Sequence, residues 1–226
     1  MLHRSFSAHD PAWRWLCRLF SCPARGFFIF AVLSLPILGN AAPAVDMAKA
    51  EELLKQVTSA PVRPYATRDF GRARYGGGRS VVVAEADAPR LLSQLRQKLP
   101  AGLVAYVGVT RDLATNITGK AELAIAPGTS QFDILRTAAT DGMNYGLKTD
   151  GIIQELQRWD EEFGIDIWQA ETDTIQLRLK KLPKDMQAFA KRVYRFCPDT
   201  VEQGTGDVAA LAVLIPKEKA VFLWWD

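Results

Sequence analysis

The feature that most constrains this chain is a predominantly apolar run near its N-terminus, residues 27–38. Four arginines precede the run, Gly39-Asn40 breaks it, and Ala42-Pro43-Ala44 has the small-x-small spacing of a signal-peptidase site. A helix of these twelve residues is too short for the apolar core of a bilayer, which is roughly 30 Å thick. We therefore expect residues 1–44 to be a signal peptide cleaved near Ala44, which makes the mature protein periplasmic or secreted.

Two other interpretations of the apolar run remain open. A buried core helix should show a polar face, and residues 27–38 show none. If the run is instead retained as an anchor, the signal segment is the only part of the chain expected to contact a membrane. With the leader set apart, the rest of the chain has the length of one domain.

The composition of residues 45–226 excludes several kinds of catalytic site. Both histidines, His3 and His9, and two of the three cysteines lie in the leader, so Cys197 is the one cysteine that remains. Ser-His-Asp and Cys-His arrangements need a histidine, and zinc sites usually need several histidine or cysteine ligands. We therefore expect no metal and no cofactor, and a single cysteine cannot form an internal disulfide.

The charge of the mature chain is balanced. The leader carries four of the 28 Lys and Arg residues and one of the 25 Asp and Glu residues, so 24 of each remain and the net charge is zero. A neutral domain has no general attraction to polyanions. We therefore expect no nucleic-acid partner.

Strand and helix signals alternate from residue 80 to the C-terminus. In residues 175–179, for example, apolar and polar side chains alternate with the period of a strand that has one solvent-facing side. The predicted strands are 80–84, 103–107, 122–126, 165–168, 175–179 and 221–225. The predicted helices begin near residues 46, 87, 130, 149, 183 and 207. Together they predict one α/β (α+β-like) domain over residues 80–226, with a mixed or antiparallel sheet of five to six strands and helices packed on it.

Residues 45–79 are predicted to be an N-terminal helix followed by an irregular linker. Asp46 is a suitable N-cap for a helix over residues 46–58. The stretch 60–79 contains Pro61, Pro64 and three consecutive glycines, which favour a loop. It also carries five arginines interleaved with aromatic residues, a composition that would also suit contact with an anionic polymer or lipid headgroups.

Four segments of the C-terminal half resemble a known family. They are ATDGMNYG at 139–146, Trp159-Asp160, FCPDTVEQG at 196–204 and the terminal LWWD at 223–226. In this order they resemble bacterial domain-of-unknown-function family 4253, over about residues 125–226. The resemblance implies a small α/β domain, and it implies no established activity, substrate or cofactor.

The residues that could form a site lie at the ends of predicted elements, where functional side chains often lie. Trp224 and Trp225 are adjacent in one strand, so one should pack inward and the other should remain exposed as a platform for carbohydrate or peptide. Cys197 continues the inward stripe of a helix, which favours a structural role over a nucleophilic one. The candidate ligand-binding residues are Asp141, Asn144, Tyr145, Asp199, Gln203, Trp224, Trp225 and Asp226.

Carboxylates are the remaining option for acid–base chemistry. Those at predicted element ends are Asp141, Asp160, Asp166, Asp199 and Asp226. Two of them facing each other at about 5–10 Å would support hydrolysis of a glycoside, whereas alone each is a cap or a surface charge.

Three functions follow from these observations. The first is an uncharacterised exported protein that acts as a non-catalytic binding or interaction module, with a protein or an envelope polymer as its ligand. The second is a carboxylate-dependent hydrolase that acts on a cell-envelope polymer. The third is an immunity-type partner that inhibits another protein.

Overall fold

One mixed β-sheet carries the described part of the chain. The structure is a computed structural model that describes residues 46–69, 72–108 and 119–225, all within the unit Pro43–Asp226. The strands are β1 Arg63–Asp69, β2 Arg72–Ala84, β3 Leu103–Val107, β4 Lys120–Pro127, β5 Ile165–Ala170, β6 Thr174–Leu179 and β7 Ala220–Trp224. Their order across the sheet is β1-β2-β4-β3-β5-β6-β7, and β3 and β5 form the one parallel pair among them. The mixed α/β architecture is confirmed, with seven strands in place of the five to six predicted.

Helices pack on both faces of this sheet. They are α1 Met47–Thr58, α2 Ala88–Lys98, α3 Asp133–Ala138, α4 Thr149–Phe163, α5 Met186–Phe196 and α6 Val208–Glu218. One face carries the larger core, to which α3, α4, α5 and α6 contribute. The smaller core on the other face joins α1 and α2 to β2, β3 and β4. None of these described helices is long and apolar enough to cross a membrane.

The helices form where the apolar spacing and the caps predict them. In α4 the residues Ile152, Ile153, Leu156 and Trp159 form one buried stripe, and Gly164 ends the helix at a φ of 66°. Asp46 caps α1 by accepting a hydrogen bond from the Ala48 amide at 3.1 Å. The predicted cap of α1 and the predicted buried stripe of α4 are therefore both present.

The predicted linker at 60–79 is wrong over its described part, because residues 63–69 and 72–79 belong to strands of the sheet. β1 pairs with β2, and β2 continues through the glycines to pair with β4. A Cβ at Gly78 would lie 3.0 Å from the Ile125 carbonyl oxygen and 3.2 Å from the Cβ of Tyr65. The buried Tyr65 ring meets Tyr106 of β3 edge to face, with ring centroids 5.6 Å apart. Glycine is therefore needed for close approach of the chain and does not mark a loop here.

Three helix starts or ends differ from their predicted positions. Pro216 lies inside α6, which continues to Glu218, although a proline there would be expected to end the helix. α5 begins after Pro183, where Asp185 accepts from the Ala188 amide at 2.9 Å. The helix predicted to begin near residue 130 begins at Asp133, whose carboxylate accepts from the backbone amides of Thr129 and Ser130.

Half of one sheet face is left uncovered by the described helices. α1 and α2 pack on the part formed by β2, β3 and β4, and this core borders β5 at Trp168, where Arg96 of α2 also bonds to Asp166, while β6 and β7 continue beyond it. We call this uncovered half the open face. Its side chains include Trp168, Gln176, Arg178, Phe222 and Trp224. Phe222 is 46% exposed, and Trp168, Gln176 and Trp224 are half-buried.

Candidate functional site

Three of the predicted site residues meet in one hydrogen-bonded cluster. Tyr145 ends the 3₁₀ turn Met143–Tyr145, and Asp199 immediately precedes the π-helix Thr200–Thr205. The Tyr145 hydroxyl donates to Asp199 Oδ1 at 2.8 Å, and Gln203 Nε2 donates to the same oxygen at 3.1 Å. Asp199 is only 4% exposed, so it joins these two segments from a buried position.

The electrostatics of this cluster keep the phenol neutral. The hydrogen bond to the Asp199 carboxylate, which would be lost on ionisation, raises the pKa of Tyr145 to about 12. Tyr194 donates to Glu202 at 2.8 Å, and this hydrogen bond likewise raises the pKa of Tyr194. Both tyrosines are therefore hydrogen-bond donors at neutral pH. The Tyr145 ring, which is 45% exposed, offers a contact surface and no base.

Trp224 and Trp225 point to opposite faces of the sheet, as alternation predicts. Trp225 is the inward one: it is 4% exposed, its Nε1 donates to the Phe196 carbonyl at 3.2 Å, and its ring packs on Phe196. A Cβ at Gly142 would lie 3.0 Å from the same ring. Trp225 therefore holds the 141–147 loop and is a core residue, and the exposed surface predicted for the pair lies at Trp224, on the open face.

Cys197 is a structural residue of the sheet edge. β7 is the last strand among the described residues, and its outer backbone groups bond to two side chains. Cys197 Sγ accepts from the Trp224 amide at 3.2 Å and donates to the Trp224 carbonyl at 3.0 Å, while Thr200 donates to the Phe222 carbonyl at 3.0 Å. Burial raises the pKa of the Cys197 thiol, which opposes thiolate formation.

Two of the remaining predicted residues lie in the loop that carries Tyr145. Asn144 is exposed beside Tyr145 in the same turn. The backbone amide of Asp141 donates to the Thr172 carbonyl at 2.8 Å, which fixes the start of the loop. Asp226 lies outside the described residues.

Two of the carboxylates considered for catalysis have structural partners. Asp160 accepts from the Ile165 amide at 2.7 Å and from Gln131 Nε2 at 3.2 Å. Asp166 forms an ion pair with Arg96 Nη1 at 2.6 Å. Within the described ranges, no group of three or more His, Cys, Asp and Glu side chains is arranged to hold a metal ion.

The sequence prediction missed most of the open face. Gln176 pairs across the strands with Phe222, and Thr174 pairs with Trp224, so the two aromatic side chains lie beside the polar side of β6. The Arg178 guanidinium lies over the Trp168 ring, 5.2 Å from its centroid. A signal was present, because Phe222 and Trp224 are aromatic at the positions that alternate with the inward side chains of β7.

Two depressions flank Arg178 and Asp166. One of about 610 Å³ is lined by these two residues together with Ser130, Gln131 and Lys180, among others. The other, of about 340 Å³, is lined by the same two residues and by Leu92, Ser93 and Arg96 of α2, among others. We call the two together the Arg178 groove. The Arg178 groove borders the open face, because Arg178 lines the groove and is also a side chain of the open face.

Similarity to known proteins is limited to the C-terminal half. No curated protein and no solved structure is significantly similar to the chain. A family model described as Domain of unknown function (DUF4253) matches residues 122–226, which confirms the resemblance predicted over about residues 125–226. The matched region begins within β4 and includes the Tyr145–Asp199 cluster and all three strands of the open face. The C-terminal part of this chain, residues 122–226, is thus similar to the DUF4253 family.

Proposed function

We propose that this protein is an exported, non-catalytic interaction module that binds a partner protein through its open face. The observation that carries the proposal is the exposure of aromatic side chains on a sheet face that the described helices leave uncovered. Phe222 and Trp224 lie there beside Arg178 and Trp168. Aromatic residues and arginine are enriched in protein interfaces and in their energetic hot spots.

The shape and polarity of the open face support a protein partner. Three paired strands give a broad, shallow surface, whereas a small-molecule site is usually an enclosed pocket. Gln176 Nε2 donates to Gln169 Oε1 at 2.8 Å, so the polar groups between the aromatic rings are already held in place. Such a surface suits a second protein, and the immunity-type inhibitory role would use it in the same way.

Hydrolysis by carboxylates receives less support. Asp160 and Asp166 are engaged as a cap and an ion pair, and Asp199 accepts hydrogen bonds from Tyr145 and Gln203. A general acid needs a raised carboxyl pKa and a general base needs access to substrate. The burial of Asp199 and its two donors favour a structural role for this carboxylate.

Site-specific photo-crosslinking in the native host tests the binding surface. A photoreactive phenylalanine analogue at Phe222 should yield a crosslinked partner, because this side chain points outward from the open face. The matched control is the same analogue at Val213, an exposed apolar position of α6, which packs on the opposite face. Trp224→Ala should weaken the Phe222 crosslink. A crosslink that forms at Val213 and is absent at Phe222 would place the interface elsewhere.

Export is a separate part of the proposal and has its own test. The leader at residues 1–44 combines arginines, an apolar run and a small-x-small site. Mass determination of the protein from the native host should give an N-terminus close to Val45, in the periplasmic or extracellular fraction. An intact Met1 in the cytosolic fraction would contradict export.

A further inference from the structure

Arg178 has unused hydrogen-bonding capacity at the border of the open face. A guanidinium has five N–H donors, and within the described ranges its one ion pair joins Nη1 to Asp166 Oδ2 at 3.7 Å. That distance is too long for a hydrogen bond. The side chain is 51% exposed and is held by stacking on Trp168, so its donors are oriented before any ligand arrives.

The charges around Arg178 leave an excess of positive charge. Arg96 and Arg178 share one carboxylate, Asp166, and Arg96 holds it much more closely, at 2.6 Å against 3.7 Å. Arg96 also donates to the carbonyl oxygens of Ala105 and Ile167, which fixes it to the sheet. Asp166 is therefore largely committed to Arg96, and Arg178 is left to pair with a second carboxylate.

The groove provides room and further donors for such a group. Its larger depression, of about 610 Å³, carries Lys180 and Ser130 as well as Arg178. Asp160, the other acid on its wall, already accepts two hydrogen bonds from its own surroundings. Lys180 offsets the charge of Asp160, so Arg96, Arg178 and Lys180 against Asp160 and Asp166 leave the lining of the groove with a net positive charge.

We propose that the Arg178 groove receives the carboxylate of an aspartate or glutamate side chain in an acidic segment of the partner protein. This inference rests on the proposed function and names the chemistry of the partner. The planar fork of arginine matches a carboxylate in bidentate geometry, and Lys180 supplies a second charge nearby. Phe222 and Trp224 on the adjoining strand would contact apolar side chains next to the acidic segment.

The probes are an N-acetylated, amidated hexapeptide of glutamate and the same peptide built from glutamine. Titration calorimetry on the mature chain should show binding of the glutamate peptide and weakening of that binding by added salt. The glutamine peptide should not bind. Equal binding of the two peptides would overturn the proposal, and so would failure of the glutamate peptide to bind.

Variants locate the site of binding. Arg178→Gln should weaken binding of the glutamate peptide by about tenfold, the effect of losing one charged hydrogen-bonding pair, and Lys180→Gln should weaken it less. The matched control is Arg158→Gln, which removes an arginine of α4 that is 64% exposed on the other face of the sheet, against 51% for Arg178. An equal effect of Arg178→Gln and Arg158→Gln would show general charge attraction and overturn the subsite.

A second titration tests whether the carboxylate comes from a protein or from a polysaccharide. An oligomer of galacturonic acid presents carboxylates on a sugar chain, and its binding in place of the glutamate peptide would contradict a protein ligand. Failure of the carboxylate subsite can be told apart from failure of the proposed function by combining Arg178→Gln with the Phe222 crosslink. If the Phe222 crosslink forms and is unchanged by Arg178→Gln, the interaction module stands and the carboxylate subsite is wrong.

Discussion

At the scale of single residues, the segment from Phe196 to Gln203 connects three parts of the molecule. Cys197 bonds to the backbone of β7, and Asp199 accepts from Tyr145 in the loop that follows α3. The carbonyl of Phe196 accepts from the indole of Trp225. This explains in structural terms why FCPD, NYG and WWD occur together in the sequence. These three segments together stabilise one corner of the fold, and the open face proposed for binding lies next to that corner.

The Tyr145–Asp199 hydrogen bond predicts a dependence of stability on alkaline pH. The pKa of Tyr145 is raised from 10.0 to about 12 in the folded protein, so the neutral phenol stabilises the fold. This contribution is complete below pH 10 and is lost as the pH rises through about 12. The difference in Tm between wild type and Tyr145→Phe should therefore shrink across this window. Burial also raises the pKa of tyrosines such as Tyr65. These tyrosines are present in both proteins, so their effect cancels in the difference in Tm. A constant difference would contradict the prediction.

Cys197 should tolerate serine better than alanine. Cys197→Ala leaves the Trp224 amide and carbonyl without their partner at a buried edge, which should cost about 2–4 kcal/mol of unfolding free energy. Cys197→Ser keeps a donor and an acceptor at nearly the same position and should cost less. Urea denaturation of both variants measures the difference. If alanine is the milder substitution, the sulfur acts through packing alone.

At the scale of elements, the strands that were predicted show a strand pattern in their own sequence. The strands that were missed depend on contacts with residues elsewhere in the chain. β6 was predicted because polar and apolar residues alternate along it, and β3 because its residues are apolar and mostly β-branched or aromatic. β1 and the first half of β2 were missed, since Pro64 and the glycines 76–78 carry loop signals. Gly78 is required by the approach of Tyr65 and Ile125, two residues far away in the sequence. Such a requirement cannot be read from neighbouring residues.

The same limit applies to the candidate site. The cluster of Tyr145, Asp199 and Gln203 was predicted because each residue lies at the end of an element, where segments converge. The open face depends on which helices cover which strands, and this follows from the sheet order. A single sequence predicts the alternation of β7, and it does not predict that the core under α1 and α2 ends at β5.

The two faces of β7 should respond differently to substitution. Trp225→Ala removes a buried ring that packs on Phe196 and Gly142, and should cost about 3–5 kcal/mol of unfolding free energy. Trp224→Ala removes a half-buried ring from the open face and should cost less than about 1.5 kcal/mol. Chemical denaturation of the two variants compares them directly. Equal losses would mean that Trp224 is packed as tightly as Trp225.

At the scale of the whole molecule, the boundary of the matched family region is not a boundary of the fold. The match begins at Glu122, within β4. In the sheet, β4 lies between β2 and β3, and β3 separates β4 from β5. Residues before 122 therefore supply the strand that joins the two halves of the sheet. The described residues form one sheet whose C-terminal half is not complete by itself.

A fragment of residues 122–226 should accordingly fail to fold. It lacks β3, so β4 has no partner strand and β5 loses its parallel neighbour. A fragment of residues 46–226 contains every described element and is the matched control. Thermal unfolding followed by circular dichroism should show a cooperative transition for the longer fragment only. A cooperative transition in the shorter one would mean that the sheet can close without β3.

The closure of β7 by Cys197 and Thr200 has a consequence for behaviour at high concentration. A strand with free backbone groups at a sheet edge is a template on which strands of other molecules add, and such addition begins aggregation. The open face next to β7 presents aromatic side chains, which would favour stacking of chains once one had added. The carbonyl of Phe222 and both backbone groups of Trp224 are already bonded, so these groups do not offer hydrogen bonds to an added strand. The half-buried Trp224 ring therefore lies on the open face while its own backbone is withheld from strand addition.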